Sequence, residues 1–244
     1  MRLKASGLTD VGLKRENNQD HFFVDEELGL FIVADGMGGH LGGEVASQLA
    51  VQTIRQVIQE SFDKEKGVEP RELLQRAYMA ASRAIYRKSE DDPRLKGMGT
   101  TTVTALLREG TLYLANVGDS RGYLIHRPYL WQVTDDHSLL NEQIRAGLIK
   151  AEQAAYFTAK NVITRSVGFE EQVFCDVFER VLEEGDLVLL CSDGLSGLVP
   201  DRRIGDVCLT LPFDEVVSRL IEEAKRNGGD DNVTVVFLEA SKGE

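Results

Sequence analysis

Four acidic residues stand where short apolar runs meet turns, and carboxylates in such positions can bind metal ions. They are Asp35 after run 31–34, Asp119 after run 112–115, Asp193 after run 187–190, and Asp231 just before run 233–236. If the runs are buried strands, they deliver these carboxylates to the ends of sheets. Carboxylates are hard anionic ligands, and several together repel each other unless cations such as Mg²⁺ or Mn²⁺ lie between them. The pattern predicts a site for more than one metal ion.

A simpler interpretation of the same residues is an ordinary turn. Asp-Gly after a strand is typical of a hairpin, because glycine reaches positive φ and aspartate bonds the local backbone. Each pair taken singly fits a turn better than a ligand. The repetition of the pattern, in Asp35-Gly36 and again in Asp193-Gly194, favours a shared site. Spacing alone leaves both interpretations open.

The elements that position these residues are mostly short strands. β-rich runs are predicted at 22–24, 30–34, 101–107, 111–116, 122–126, 132–134, 174–181, 186–191 and 232–238. Helical spacing of apolar residues is found over 43–62, 72–88 and 213–227, and more weakly over 139–156. Strands in groups with helices between them indicate an α+β fold rather than repeated βαβ units. We expect a central sandwich of two antiparallel β-sheets flanked by helices on both sides (αββα), with the acidic turns at one end.

Length and charge narrow the functional class. The 244 residues contain no Pro/Ser-rich linker, so we expect one domain over 1–244. A net charge of −12 and a pI near 4.9 disfavour nucleic acid and anionic membranes as partners. Nothing in the sequence requires more than a monomer.

The cysteines and the hydropathy indicate a reducing compartment. Cys175, Cys191 and Cys208 are odd in number and lack CxxC spacing, which argues against a disulfide framework or a structural zinc site. There is no apolar segment after Met1, and no apolar run approaches the 18 or so residues needed to cross a bilayer. We therefore expect a cytoplasmic protein without a membrane partner.

Six motifs occur in an order that resembles one family. They are Arg15-Glu16-Asn17-Asn18-Gln19-Asp20, Asp35-Gly36-Met37-Gly38-Gly39-His40, Gly99-Thr100-Thr101, Gly118-Asp119-Ser120-Arg121, Ser192-Asp193-Gly194-Leu195 and Asp231-Asn232. Together they resemble the type 2C metal-dependent serine/threonine protein phosphatases (PPM family), in their bacterial single-domain branch. The resemblance implies two antiparallel sheets flanked by helices. It also implies phosphoserine and phosphothreonine proteins, made by a serine/threonine kinase, as substrates.

The same resemblance implies two central Mg²⁺ or Mn²⁺ ions and a third ion beside them. Asp35 is similar to the carboxylate that bridges the central pair, with the backbone carbonyl of Gly36 on one ion. Asp193 and Asp231 resemble the other ligands, and Asp231 is preferred to Asp230 because it adjoins the motif asparagine. Asp119 resembles a ligand of the third ion, shared with Asp193.

Two further residues resemble parts of the reaction machinery. Asp20 is similar to a carboxylate that orients metal-bound water, and Arg15 to the arginine that grips the substrate phosphate with its planar fork of donors. The implied reaction is in-line attack on the phosphoryl group by a water or hydroxide that bridges the metals, without a covalent intermediate. A nucleophilic cysteine or a Ser-His-Asp triad is not needed.

Two positions depart from the family pattern. Met37 occupies the position where animal members have a histidine thought to protonate the leaving alcohol. His40 is the nearest substitute, although a histidine that merely bonds the next turn fits as well. In a predicted flap over about 139–168, Phe157-Thr158 replaces the His-Pro of many bacterial relatives, so substrate choice could differ.

Two other functions compete with protein dephosphorylation. One is hydrolysis of small phosphoesters, and the other is binding of phosphoproteins without cleavage. Retention of all the implied metal carboxylates and of Arg15 argues against the second, since non-catalytic members usually lose ligands.

Overall fold

Two antiparallel β-sheets lie face to face at the centre of the molecule. The computed structural model describes residues 1–242 except 65–66, 151–152, 154–156, 158 and 160–161, and leaves the side chain of residue 40 undescribed. In chain order the elements are β1 (Arg2–Asp10), β2 (Asp20–Asp25), β3 (Leu30–Met37), α1 (Gly39–Lys64), α2 (Pro70–Asp91), β4 (Gly99–Thr100), β5 (Thr102–Arg108), β6 (Thr111–Val117), β7 (Arg121–His126), β8 (Tyr129–Gln132), α3 (Leu139–Arg145), β9 (Asp176–Val181), β10 (Leu187–Cys191), α4 (Asp193–Ser196), α5 (Asp201–Thr210), α6 (Phe213–Arg226) and β11 (Val233–Ser241).

The strand order shows how the chain passes between the sheets. One sheet runs β1-β11-β10-β7-β8, and the other runs β2-β3-β5-β6-β9 with the short β4 added beside β3. Consecutive strands β6 and β7 belong to different sheets, so the turn between them crosses from one sheet to the other. That crossing brings residues from both sheets to the same end of the sandwich.

Strand β3 shows why the central strands are continuous apolar runs. Successive side chains in a strand point to opposite faces. Leu30, Ile32 and Ala34 pack in the core against α1 and α2, while Phe31 and Val33 pack in the core between the two sheets. All five are fully buried. A strand covered on both faces needs apolar residues at every position.

The second helical layer covers the outer face of the other sheet. Helices α5 and α6 pack against β7, β10 and β11, and the buried face of α6 consists of Val216, Val217, Leu220, Ile221 and Ala224. The predicted αββα sandwich is therefore confirmed. Within the described residues, no helix is both long enough and apolar enough to span a bilayer.

The structure differs from the sequence predictions in several local elements. Strands β1 and β4 and helices α4 and α5 were not predicted, and the predicted strand 132–134 lies instead at β8. Strand β1 is at the edge of its sheet, where half-exposed positions dilute the apolar pattern. The helix predicted over 139–156 ends early, because α3 ends at Arg145 and Gly147 adopts a φ of 70°; positions 151–152 and 154–156 of that prediction, and 158 and 160–161 of the predicted flap, lie outside the described residues. The apolar Leu148 that suggested a longer helix is 70% exposed.

Candidate active site

Five aspartates meet at one end of the sandwich, and both sheets contribute. Asp20 begins β2 and is the register partner of Asp35 in β3. Asp193 follows β10 and begins α4, and Asp231 precedes β11. Asp119 lies in the turn that crosses between the sheets from β6 to β7. The structure thus brings together all five aspartates that the sequence predicted as site residues.

A cavity of about 730 Å³ opens over this cluster. Four of the aspartates line it together with one basic residue predicted to bind phosphate: Asp35, Asp119, Asp193, Asp231 and Arg15. Gly36 and Met37 also line it. The fifth carboxylate, Asp20, is only 4% exposed and lies beneath the cavity surface. The site is therefore an acidic, open cavity with an arginine at its edge.

Burial and mutual repulsion raise the pKa values of these carboxylates. Enclosure by protein raises the pKa of Asp35 well above its usual value, and the neighbouring charges of Asp20 and Asp193 raise it further. The pKa of Asp119 is raised to about 7, first by burial and then by Asp193. Burial also raises the pKa of Asp193, and Asp231 adds to the effect. Without cations, the cluster therefore holds negative charge only at a cost in free energy.

The donor set fits divalent cations. Among the described residues, the buried Oδ1 atoms of Asp193 and Asp20 find no hydrogen-bond partner, and carboxylate oxygens left in this way suit a hard cation or its water. Over the described residues, no three Asp, Glu, His or Cys side chains surround one point closely enough to hold an ion alone. Mg²⁺ usually keeps several waters and takes only one or two carboxylates. The arrangement fits ions that share carboxylates and keep much of their water.

Gly36 is held where only glycine fits. A Cβ atom at this position would lie 2.0 Å from the carbonyl oxygen of Gly43 in α1. The N–H of Gly36 donates to the carbonyl of Gln19 at 3.2 Å. Close packing of β3 against α1 therefore fixes the backbone immediately after Asp35.

Arg15 lies in the loop between β1 and β2, at the edge of the cavity. Its Nη2 donates to Oδ2 of Asp231 at 2.7 Å, and its side chain is 53% exposed. Asn232 fastens this loop, because its side-chain nitrogen donates to the carbonyls of Val11 and Asn17 at 2.9 and 3.0 Å. Its side-chain oxygen accepts from the N–H of Gln19 at 2.8 Å. Asn232 thus positions Arg15 through the backbone.

Asp20 is held by two hydroxyl groups that the sequence analysis did not assign. Ser192 and Thr234 donate to its Oδ2 at 2.8 and 2.7 Å. Burial raises the pKa of Asp20 to about 7 even though these two bonds act to lower it. Ser192 adjoins Asp193 in sequence and Thr234 lies three positions after Asp231, and this proximity to predicted site residues was the available signal. Their contact with Asp20 spans 172 and 214 positions of the chain.

Thr101 belongs to the Gly99-Thr100-Thr101 motif but was not predicted as a site residue, and in the structure it lines the cavity. Its hydroxyl lies 2.7 Å from that of Ser120, next to Asp119, and 3.3 Å from the N–H of Asp35, which donates to it. Its own N–H donates to the carbonyl of Asp35 at 2.8 Å. Thr101 therefore ties together the two segments that carry these aspartates. His40 lies in the first turn of α1, but its side chain is outside what the structure describes.

Comparison with known proteins agrees with this geometry. Residues 14–234 match the sequence profile of protein phosphatase 2C. The chain belongs to the protein phosphatase 2C family. The family predicted from the six motifs is thereby confirmed, and the matched range includes all five aspartates and Arg15.

Individual relatives are similar to this phosphatase over nearly their whole length. The serine/threonine phosphatase stp of Listeria monocytogenes is 38% identical over 241 residues, which is 97% of this chain and 96% of the relative. The crystal structure of Mycobacterium tuberculosis PstP/Ppp is 37% identical with a TM-score of 0.92, covering 99% of this chain and 100% of that one. The catalytic domain of PstP, crystallised with two manganese ions, gives 37% identity and a TM-score of 0.88, covering 99% of each chain.

Proposed function

We propose that this phosphatase hydrolyses phosphoserine and phosphothreonine on proteins, using divalent cations held by its aspartate cluster. The single observation that carries the proposal is the convergence of Asp35, Asp193 and Asp231 in one cavity with Arg15 at its edge. Relatives named as serine/threonine phosphatases, and a neighbour crystallised with two manganese ions, support the substrate class and the dependence on metal.

The cations would be held by residues from both sheets. We propose Asp35, Asp193, Asp231 and the carbonyl of Gly36 as ligands of two central ions, Mg²⁺ or Mn²⁺. Asp119 with Asp193 would hold a third, because both carboxylates line the same cavity. When bound, such ions lower the pKa of a water molecule and offset charge on the attacked phosphoryl group.

The protein's own residues position the reactants. Arg15 binds the substrate phosphate. Its side chain is exposed and, among the described residues, pairs with Asp231 through Nη2, which leaves its other guanidinium donors available for phosphate oxygens. Asp20 orients the attacking water, since Ser192 and Thr234 occupy Oδ2 and leave Oδ1 without a partner. Attack is in line, and the phosphoserine or phosphothreonine oxygen leaves as an alcohol. His40 stays a candidate for protonating that alcohol.

The setting of the enzyme is also part of the proposal. We expect one catalytic domain over 1–244 with a flap over about 139–168, acting as a monomer in the cytoplasm against a serine/threonine kinase. The acidic composition supports the absence of nucleic-acid and membrane partners.

The test is phosphate release from a phosphothreonine peptide with Mn²⁺, Mg²⁺ or EDTA. Wild type should release phosphate only with metal, and Asp193→Ala should reduce release at least about 100-fold, as for loss of a catalytic group. Asp206→Ala, on the exposed face of α5, is the matched control and should behave as wild type. Equal release by Asp193→Ala in saturating Mn²⁺ would contradict the site. Sugar phosphates run in parallel distinguish a small-molecule hydrolase.

A further inference from the structure

A second cavity, of about 580 Å³, lies beside the candidate active site. Met37 and Ile163 line both cavities, so the two lie next to each other. We call the second cavity the side groove, and its other walls come from residues 164–166, 169–170, 172–174 and 176. When a phosphorylated side chain occupies the active site, the rest of its polypeptide has to extend outward across the rim of the first cavity. The side groove offers that polypeptide a surface.

Two large aromatic side chains are exposed in the side groove. Phe169 is 64% exposed and Phe174 is 65% exposed. A single exposed apolar side chain is common on protein surfaces, but several in one concave patch mark a binding site. Among the described residues that line the groove, Arg165, Asp176 and Glu170 are charged, and Arg165 and Asp176 form an ion pair 2.8 Å apart. Its chemistry suits an apolar side chain better than a strongly charged one.

The backbone under Phe169 is fixed by helix α2. Ser82 accepts a hydrogen bond from the N–H of Gly168 at 2.9 Å and donates to the carbonyl of Glu170 at 2.7 Å. Gly168 has a φ of 94°, and a Cβ there would lie 2.1 Å from Ile85. The residues on both sides of Phe169 are therefore held in one conformation, and the ring projects from a rigid support.

The backbone beside Phe174 is fixed in a similar way. Gln75, also in α2, accepts from the N–H of Cys175 at 3.2 Å and donates to the carbonyl of the same residue. Val173 and Cys175 are both buried, so the segment cannot rotate to bury Phe174 without exposing its neighbours. Because the two rings are presented in advance, a ligand loses little free energy in ordering them.

We propose that the side groove binds the part of the substrate polypeptide next to the phosphorylated residue, and that Phe169 and Phe174 select substrates with an apolar side chain there. The proposal rests on the proposed function, because it places the phosphorylated residue in the first cavity. It makes the loop 166–176 a determinant of substrate choice.

The experiment compares phosphothreonine peptides in which one serine is replaced by leucine at each flanking position in turn. Wild type should prefer one leucine peptide over its serine parent by about 10-fold in kcat/KM, the effect of partly burying one aliphatic side chain. Phe169→Ala/Phe174→Ala should lose that preference. Turnover of p-nitrophenyl phosphate, which has no flanking polypeptide, should stay within about 2-fold of wild type, since both rings are exposed and their loss leaves the fold intact.

The controls separate this proposal from the proposed function. Tyr129→Ala truncates an aromatic ring of similar exposure, 62%, on strand β8, and should keep the leucine preference. Wild type that cleaves phosphopeptides without any leucine preference, or a double variant that retains it, would overturn the role of the groove while leaving the phosphatase activity established. Wild type inactive on every phosphopeptide would instead refute the proposed function, and the groove's role with it.

A second copy of the chain is the alternative occupant. If the groove were an interface between copies, sedimentation of wild type would show a mass that rises with concentration and that Phe169→Ala/Phe174→Ala abolishes. That outcome, without a change in peptide preference, would overturn substrate binding by the groove. We expect a single concentration-independent mass for both proteins.

Discussion

The side chain of Asn232 donates a hydrogen bond to the carbonyl of Asn17 at 3.0 Å, across 215 positions of the chain. Asn17 is two residues from Arg15 and three from Asp20. The segment just before β11, which carries Asp231, is thereby joined to the loop that carries the phosphate-binding arginine. The spacing between Arg15 and the aspartate cluster depends on this side chain.

Asn232→Ala should therefore impair substrate binding. The change leaves the N–H of Gln19 and two carbonyls without their partner, and loss of buried hydrogen bonds of this kind costs about 1–3 kcal/mol each when no water replaces them. We expect KM for a phosphopeptide to rise at least about 5-fold. Asn227→Ala, which removes a single bond to the carbonyl of Leu198, is the control. An unchanged KM would show that the loop holds Arg15 without Asn232.

Asp119 and Asp193 should differ in their effect on activity. We expect Asp193→Ala to abolish turnover because it would remove a ligand that the central site shares with the third ion. Asp119→Ala should leave two ions bound but lower turnover. Metal content measured on dialysed protein, together with kcat, distinguishes the variants. Equal loss of all ions in both would contradict separate roles for the two residues.

Thr234→Val removes one of the two hydroxyls that hold Asp20 and keeps the shape of the side chain. We expect a loss of about 1–3 kcal/mol in stability, because a buried carboxylate loses a donor, and lower kcat because the carboxylate is no longer held in one orientation. Urea denaturation and steady-state kinetics measure the two effects. Thr210→Val is the control, since Thr210 is exposed and its hydroxyl donates to the carbonyl of Asp206 within α5. A variant with wild-type kcat would exclude a role for the orientation of Asp20.

The metal-free protein should become less stable as the pH rises. The pKa of Asp119 is raised from 3.8 to about 7 by burial and by Asp193. Between those pH values the folded state binds more protons than the unfolded state. The contribution of protonated Asp119 to the free energy of unfolding is therefore complete below about pH 4 and is lost by about pH 7. Asp119→Asn is neutral at every pH. In EDTA it should therefore be more stable than wild type at pH 8, by roughly 2–4 kcal/mol.

The pH prediction is checked by Tm measurements in EDTA from pH 4 to pH 8. The difference in Tm between Asp119→Asn and wild type should shrink toward acid pH. Because both proteins share all other titratable groups, taking this difference cancels the pH dependence of those groups. Added Mn²⁺ should stabilise wild type more than the variant. A difference that stays constant with pH would show that ionisation of Asp119 is not its source. Asp206→Asn, on the exposed face of α5, should show no such trend.

Much of the site follows from local sequence. A strand that is buried on both faces can be recognised in the sequence as a continuous apolar run, as β3 can. An aspartate that follows such a run has to lie at the end of a sheet. The buried faces of the longer helices can be recognised from the spacing of their apolar residues, as in α6. For these reasons the αββα architecture, the family and the meeting of the five aspartates were predictable, whereas the half-exposed edge strand β1 was not.

Tertiary structure alone decided how the site is held and what lies beside it. Thr234 and Ser192 reach Asp20, and Asn232 reaches Asn17, only because the beginnings of β2 and β11 and the end of β10 lie close together after the sheets pack. Helix α2 exposes Phe169 and Phe174 by fastening the backbone next to each through Ser82 and Gln75, roughly a hundred positions earlier in the chain. The spacing of residues in the sequence shows which side chains lie on the same face of a helix or strand. The hydrogen-bond partner of a buried group depends on which elements pack together, and that is set by burial over the whole chain.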